Sequence, residues 1–216
     1  MTYSRVDFPE LKPEYISGAR LFANRREMLK SLRVPRDGII AEVGVAQGDF
    51  SAFLIEHLKP SKFIAIDLFE MEKYPVHWGI PQEVMFKGLT HFEFYKQRFA
   101  SFGDVVSVLR GFSQDCLVTL PDQSFDMIYI DAGHDYDNVK RDGELSQKKV
   151  KRDGIIVFND YVMYDPFIGT EYGVVQAVNE LLAQGGWRVI GFALEKNLFC
   201  DIAIQRSSLD TFINLP

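Results

Sequence analysis

Cysteine is scarce in this chain: only Cys116 and Cys200 occur in 216 residues. The two lie far apart and lack the close spacing of metal-binding cysteine pairs. This argues against both a disulfide framework and a zinc site. We expect both side chains to be buried, reduced thiols.

Long apolar runs are also missing. No uninterrupted apolar stretch reaches the roughly 20 residues that a membrane-spanning helix needs. The first residues, MTYSRVDFPELKPEYISGAR, lack the basic start and apolar core of a signal peptide. We therefore expect a soluble, cytoplasmic protein without a membrane partner.

An excess of basic residues is absent as well. The chain has 24 Lys and Arg against 30 Asp and Glu, a formal charge of −6. Binding along nucleic-acid phosphates depends on concentrated Lys and Arg. Hydrophobic residues make up 47% and charged residues 25%, as in ordinary globular proteins. The composition predicts one globular domain over residues 1–216 that acts on a small molecule, not on nucleic acid.

Strand and helix patterns alternate through most of the chain. Apolar strand patterns occupy residues 38–45, 62–69, 105–111, 125–131 and 154–160. Helical spacing is found at residues 16–33, 50–58, 90–102, 113–120, 135–150 and 173–184. Such alternation predicts a parallel sheet with helices on both faces.

The C-terminal third ends differently. Strand patterns at residues 187–195 and 199–206 are separated by too few residues for a parallel crossover, so they predict an antiparallel hairpin. The predicted fold is α/β, a Rossmann-like, doubly wound, seven-stranded sheet of five parallel strands closed by this hairpin. Residues 1–35 are predicted as a helical extension.

The segment AEVGVAQGDFS, residues 41–51, has the form of a nucleotide-binding loop after the first strand. Dinucleotide folds need G-x-G-x-x-G so that the backbone can approach a pyrophosphate. Here the spacing is G-x-x-x-G, and Asp49 would repel a pyrophosphate, although it also suits the helix dipole. The loop therefore favours a ligand other than NAD.

Two acidic residues follow neighbouring strands. Asp67 ends the second strand, where a carboxylate can accept hydrogen bonds from both ribose hydroxyls. Glu42, at the end of the first strand, adds a second acid. A ligand with a ribose, no phosphate, an ammonium group and a positive sulfur fits this crevice. S-adenosylmethionine (SAM) is such a ligand.

The motif order resembles class I SAM-dependent methyltransferases, in particular the small O-methyltransferases of catechol and macrolide-sugar type and their broad methyltransferase-domain relatives. The resemblance covers residues 36–205 and rests on four segments in register: EVGVAQGDFS, AIDLF, GFSQD and FDMIYIDAGHDYDNVKRD. It implies SAM as cofactor and adds the closing hairpin as a family feature.

The resemblance also implies roles for individual residues. Gly44 and Gly48 form the cofactor loop, and either could instead mark only a tight turn. Ser51 contacts the methionine carboxylate or simply bonds the helix backbone. Ser113 contacts adenine and is also a natural helix N-cap. Asp131 binds the cofactor ammonium or a divalent cation.

Polar residues at neighbouring strand ends predict the catalytic centre. Asp131, Asn159 and Asp160 offer oxygen ligands that suit Mg²⁺ or another hard cation, not zinc. Catechol-type relatives have Asp followed by Asn at the last two positions, and macrolide-type relatives use a pair of acids. This chain has Asn followed by Asp, which departs from both and leaves the metal open. His134 lies where catechol-type relatives carry the base that removes the substrate proton, so the resemblance implies this role; the alternative is a plain loop histidine before the next helix.

Two long stretches without periodicity, residues 68–88 and 161–171, are predicted as lids or substrate loops. A homodimer contact is the alternative for the apolar part of the first stretch. His57 is expected to be structural. His77 and His91 are expected to be substrate contacts or surface residues.

Together these features predict methyl transfer to a hydroxyl of a small molecule, with or without a divalent cation. The acceptor could be a phenol, a sugar hydroxyl, a carboxylate or an amine. Two alternatives stay open: a non-catalytic module that binds SAM or its demethylated product S-adenosylhomocysteine (SAH), and a nicotinamide-dependent reductase.

Overall fold

The computed structural model describes residues 7–207; the termini of the predicted domain, 1–6 and 208–216, lie outside the described part. Its strands, numbered along the chain, are β1 Arg20–Phe22, β2 Ile39–Val43, β3 Lys62–Asp67, β4 Val76–His77, β5 Ile80–Pro81, β6 Val106–Arg110, β7 Phe125–Ile130, β8 Val150–Phe158, β9 Tyr164–Asp165, β10 Thr170–Glu171, β11 Trp187–Ala193 and β12 Asp201–Arg206.

The α-helices are α1 Pro13–Ile16, α2 Arg25–Ser31, α3 Asp49–Leu58, α4 Gln82–Met85, α5 His91–Phe99, α6 Ser113–Thr119, α7 Tyr136–Lys149 and α8 Val174–Ala183. Short 3-10 segments occupy Met71–Lys73 and Ala100–Val105. Within the described residues, every helix is too short or too polar to cross a membrane.

The main sheet has eight strands in the order β1-β11-β12-β8-β7-β2-β3-β6. The predicted α/β class and the five parallel strands, from β8 to β6, are confirmed. The closing hairpin is confirmed as well, since β12 pairs antiparallel with both β8 and β11. The winding direction reverses between β2 and β7, which is where a ligand is expected in such a sheet.

The predicted count of seven strands and the predicted helix at 16–33 are wrong. Gly18 adopts a left-handed φ of +78° after α1, and β1 then pairs in parallel with β11 as an eighth strand. Asn24 starts α2 afresh, because its side chain accepts a hydrogen bond from the Glu27 backbone N–H at 2.9 Å. The helical spacing thus came from three separate elements.

Each face of the sheet carries its own hydrophobic core. One core joins the sheet to α6, α7 and α8, with Leu117, Val139 and Val178 buried. The other joins it to α2, α3 and α5. Each fully buried large apolar side chain stabilises such a core by about 1.5–3 kcal/mol. The ends of the parallel strands are therefore held rigidly from both sides.

Two small hairpins rise from the strand ends. In residues 68–88, β4 and β5 pair around Trp78 and Gly79, and in residues 161–171, β9 pairs with β10. Both cysteines are free; Cys200 is buried and Cys116 is half-buried.

Candidate functional site

A cavity of about 620 Å³ opens where the winding direction reverses, above the ends of β2, β3 and β7. Of the residues predicted from the sequence, it brings together Glu42, Gly44, Asp67, Ser113, Asp131 and His134. Its other lining side chains include Arg25, Phe50, Met71, Trp78, Phe112 and Asn138.

The glycine turn is shaped by close approach. A Cβ on Gly44 would lie 2.0 Å from the carbonyl oxygen of Asp131, and one on Gly48 would lie 2.6 Å from the Phe99 ring. Both glycines have positive φ angles, +84° and +81°. Gly44 lines the cavity and Gly48 does not. Gly48 thus has a packing reason of its own, whatever ligand binds.

Asp67 is fixed beside this turn. One carboxylate oxygen accepts a hydrogen bond from the Val45 N–H at 2.8 Å, and the other accepts one from the Phe69 N–H at 2.7 Å. A carboxylate has about four lone-pair sites, so two remain for a ligand. The carboxylate is therefore both oriented and able to accept two more hydrogen bonds.

Glu42 and Ser51 form a buried pair. The Ser51 hydroxyl donates to Glu42 and accepts a hydrogen bond from the Tyr95 hydroxyl at 2.9 Å. Burial raises the pKa of Glu42 well above its ordinary value, although the Ser51 hydrogen bond opposes the shift. Glu42 reaches the cavity; Ser51, fully buried, does not. The predicted contact of Ser51 with the methionine carboxylate is not supported by this geometry.

Ser113 and Phe112 lie at the other end of the cavity, above β6. The predicted N-cap role of Ser113 is wrong, because α6 begins at Ser113 itself and Phe112 occupies the cap position without a side-chain bond. Phe112 is 59% exposed there. An apolar ring beside a hydroxyl suits a flat, polar heterocycle.

Asp131, His134 and Asp160 form an acid–histidine cluster in which one ligand atom from each residue lies within 4.8 Å of the others. The His134 Nε2 is 3.7 Å from Asp131 and 3.4 Å from Asp160. The imidazole stacks on the Tyr172 ring at 4.5 Å. Nε2 has no hydrogen bond of normal geometry to a described residue. A proton or a cation shared with the two carboxylates fits this position.

The cluster changes the pKa of its members. Burial alone would lower the pKa of His134, but the neighbouring Asp131 and Asp160 outweigh it and raise the value above 6.5. Burial, helped by the charge of Asp131, raises the pKa of Asp160 to about 6. The imidazolium form is thus favoured beside the two acids.

The sequence also predicted Asn159 as an oxygen ligand at this cluster, and that role stays a prediction. Asn159 is buried, and its side-chain N–H donates to Asp201 at 2.9 Å. Asp201 in turn accepts a hydrogen bond from the Tyr129 hydroxyl at 2.6 Å. His134 offers a ligand atom beside Asp131 and Asp160, so a cation here would meet two carboxylates and an imidazole. This mixed set also suits transition metals, not only the hard ions expected from the sequence.

The sequence did not single out several residues that the structure places at or beside the site. Arg25 lines the cavity from α2, and Trp78 does so from the β4–β5 hairpin. His91 was expected at the surface or against substrate; it is fully buried, and its Nε2 lies 2.6 Å from the Ala46 carbonyl oxygen in the glycine turn. Trp78 belongs to residues 68–88, which the sequence predicted as a lid or substrate loop. No local pattern marks Arg25 or the burial of His91, because both reach the site only through tertiary packing.

A methyltransferase domain family matches residues 41–161, more than half of the chain, and the chain belongs to this family. The match spans the glycine turn, Asp67 and the acid–histidine cluster. None of the curated protein sequences matches the chain.

Solved structures share the fold. The O-methyltransferase TomG from Streptomyces achromogenes, in complex with SAM, has a TM-score of 0.59 at 20% identity over 85% of this chain and 78% of its own. The Bacillus cereus O-methyltransferase in complex with SAH gives 0.60 at 19% identity, with coverages of 84% and 79%. An rRNA methylase from Streptococcus thermophilus gives 0.57 at 12% identity, with coverages of 85% and 94%.

Proposed function

We propose that the protein uses SAM to methylate a hydroxyl group of a small molecule. The observation that carries this proposal is the position of Asp67, fixed beside the glycine turn and facing a cavity of about 620 Å³. Two free acceptor sites at this point match the two hydroxyls of an unphosphorylated ribose. The cavity lining offers carboxylates where a dinucleotide site would need hydrogen-bond donors that bind its phosphates.

Different residues of the chain bind different parts of the cofactor. Asp67 binds the ribose, Ser113 and Phe112 bind the adenine, and Asp131 binds the ammonium group. Gly44 lets the glycine turn pack against the Asp131 backbone, because a side chain there would collide with that backbone. When bound, SAM supplies a methyl group on a sulfonium, which is an excellent leaving group. The protein's main task is to align the acceptor.

In its neutral form, which it reaches by losing the proton that the two acids favour, His134 accepts the proton of the acceptor hydroxyl. Asp131 and Asp160 stabilise the imidazolium that results. Stacking on Tyr172 keeps the ring in place. The same three residues would hold a divalent cation, which would lower the pKa of the acceptor hydroxyl. With or without a cation, the acid–histidine cluster would orient the acceptor oxygen.

The acceptor side of the cavity favours a small, partly apolar molecule. Met71 and Trp78 line it from the first predicted lid, residues 68–88. The net charge of −6 opposes binding to RNA phosphates. We propose that the hairpins in 68–88 and 161–171 cover the acceptor. A homodimer and a cytoplasmic location remain predictions from the sequence.

Ligand-induced thermal stabilisation tests the cofactor. A ligand present at 100 times its Kd stabilises a protein by about 2.7 kcal/mol, so SAH should raise the Tm by several degrees. NAD and NADP should leave it unchanged. Stabilisation by NAD alone would instead support the reductase.

Turnover tests the reaction. The protein with SAM should methylate at least one member of a panel of phenols, sugars, carboxylic acids, amines and an rRNA fragment, assayed with Mg²⁺ and with a chelator. Transfer to a small hydroxyl compound supports the proposal. SAH binding without any transfer would support the non-catalytic module, and transfer only to RNA would contradict the small-molecule acceptor.

A further inference from the structure

Among the described residues, Arg25 is the only Lys or Arg that lines the cavity, and the lining also includes four carboxylates and His134. Arg25 begins α2, and its guanidinium is 3.7 Å from an Asp131 carboxylate oxygen. The side chain is 32% exposed, so it is largely removed from water while still reaching the cavity. Placing a positive charge beside the sulfonium of the proposed cofactor is unfavourable unless an anion accompanies it.

The guanidinium is held in place before any ligand binds. It stacks over the Phe50 ring at 4.2 Å and donates to the Tyr129 hydroxyl at 3.1 Å. The Arg25 backbone N–H donates to the Glu195 carboxylate at 2.7 Å, which ties the start of α2 to the loop that follows β11. This support comes from three different elements, so the orientation does not depend on α2 alone.

Most of its hydrogen-bonding capacity is unused. A guanidinium carries five N–H donors. Within the described residues, only the Tyr129 hydroxyl accepts a side-chain hydrogen bond from Arg25, and Asp131 lies beyond hydrogen-bond distance. A planar, oriented fork with free donors is suited to a carboxylate.

The other candidate for binding a carboxylate is occupied. Ser51 is fully buried, and its hydroxyl is engaged with Glu42 and Tyr95. Arg25 and Asp131 together present one positive and one negative group side by side at the wall of the cavity. An amino-acid zwitterion has the complementary pair, a carboxylate next to an ammonium.

We propose that Arg25 binds the α-carboxylate at the amino-acid end of SAM, while Asp131 binds the neighbouring ammonium. This inference rests on the proposed function. The carboxylate also compensates the charge of Arg25 beside the sulfonium. Arg25 is then a ligand-binding residue contributed by the segment that precedes the first parallel strand.

The test compares two ligands, SAH and methylthioadenosine, which lacks the amino-acid end. Calorimetry should show that Arg25→Met weakens SAH binding by at least about 30-fold and changes methylthioadenosine binding by less than about threefold. Arg25→Lys, which keeps the charge but not the fork, should fall between the wild type and Arg25→Met. Arg26→Met is the matched control, because Arg26 is exposed and stacks on Phe53 away from the cavity lining.

Equal losses for both ligands, or no loss of SAH affinity, would overturn the role of Arg25 and leave the proposed function intact. A wild-type protein that binds neither ligand would overturn both. Since the ratio of the two affinities is measured within one variant, a general loss of folded protein cannot imitate the expected result; Arg25→Lys supplies the same ratio if Arg25→Met does not fold.

Discussion

At the scale of single residues, His134 is the side chain on which the proposed chemistry depends most directly. Its ring is oriented by Tyr172 and lies between two carboxylates. We expect His134→Asn to lower kcat by about 100-fold or more, since a positioned general base contributes 10²–10⁴-fold. SAH affinity should change by less than about threefold. Steady-state kinetics and calorimetry check this.

The control is His57→Asn. His57 stacks on Phe53 within α3, outside the cavity lining, so kcat should stay near the wild-type value. An unchanged kcat in His134→Asn would show that His134 is not the base, and the proton would have to leave by another route.

Residues that end a predicted strand could be identified from the sequence, because the order of strands already brings their ends to one edge. Asp67 and Asp131 are of this kind. Arg25 and His91 are not, since they act from helices whose contacts with the strand ends depend on packing. Nothing in the chain near Arg25 distinguishes it from a solvated charge on a helix.

At the scale of elements, α5 supports the glycine turn from below. The buried ring of His91 reaches the Ala46 carbonyl oxygen, and Arg98 donates to the Gln47 carbonyl oxygen at 2.7 Å. Ala46 holds a left-handed φ of +44°, which costs free energy in a residue with a Cβ. The hydrogen bonds from α5 offset that cost. Because a carbonyl oxygen only accepts, the His91 Nε2 must carry a proton.

We therefore expect His91→Phe, which retains an aromatic ring but loses the donor, to weaken SAH binding by about tenfold, the equivalent of one hydrogen bond of roughly 1–1.5 kcal/mol. His91→Gln, whose amide can supply a donor, should recover most of the affinity. Calorimetric titration with SAH measures both. If His91→Phe binds SAH as tightly as the wild type, α5 does not control the shape of the turn.

The β4–β5 hairpin carries Trp78, which is 76% exposed at the cavity wall. The chain has only two tryptophans, and the other, Trp187, is buried against Arg206. Acceptor binding should therefore shift Trp78 fluorescence to shorter wavelength and leave the Trp187 emission unchanged. We expect Trp78→Phe to abolish the shift. It should also raise the acceptor KM about fivefold through lost apolar burial, with SAH affinity unchanged.

A fluorescence shift that persists in Trp78→Phe would place the binding event elsewhere and argue against a lid role for this hairpin.

Elements without periodicity, such as this one, could be recognised from the sequence as loops but not resolved further. The wrong prediction of one helix over residues 16–33 has a related cause. Apolar spacing alone does not show that the turn at Gly18 and the helix cap at Asn24 divide this segment into three elements. The regular strands and helices of the centre follow from hydrophobic patterning, because each buries one consistent face.

At the scale of the whole molecule, the packing of α6 against α7 buries one acid, Asp142, that forms no salt bridge with a described residue. Asp142 is fully buried in α7, and neither carboxylate oxygen has a hydrogen bond of normal geometry among the described residues. Burial raises its pKa to about 6, and a long or poorly aligned hydrogen bond from the Ser113 side chain only partly opposes the shift. Ser113 lines the cavity, so Asp142 lies directly behind the proposed adenine site.

This pKa shift predicts how the free energy of unfolding depends on pH. Between about pH 4 and pH 6 the folded protein retains the Asp142 proton while the unfolded chain loses it, so folding is favoured less as the pH rises through this range. Above pH 6 the free energy of unfolding stays lower by about 2–3 kcal/mol, because the buried Asp142 is then ionised. Asp142→Asn cannot ionise. The variant should therefore match the wild type near pH 4 and exceed its stability by that amount at pH 7.5.

Urea denaturation at both pH values measures the difference, and comparison within each pH removes the contributions that the two proteins share. Glu144→Gln is the matched control, because Glu144 lies on the exposed face of the same helix and its neutralisation should change stability by less than about 0.5 kcal/mol. The prediction is contradicted if the difference in the free energy of unfolding between Asp142→Asn and the wild type is the same at pH 7.5 and at pH 4. The carboxylate would then have a stabilising partner in solution. A gain of the expected size would show that the fold tolerates a buried acid without an ion-pair partner behind the cavity.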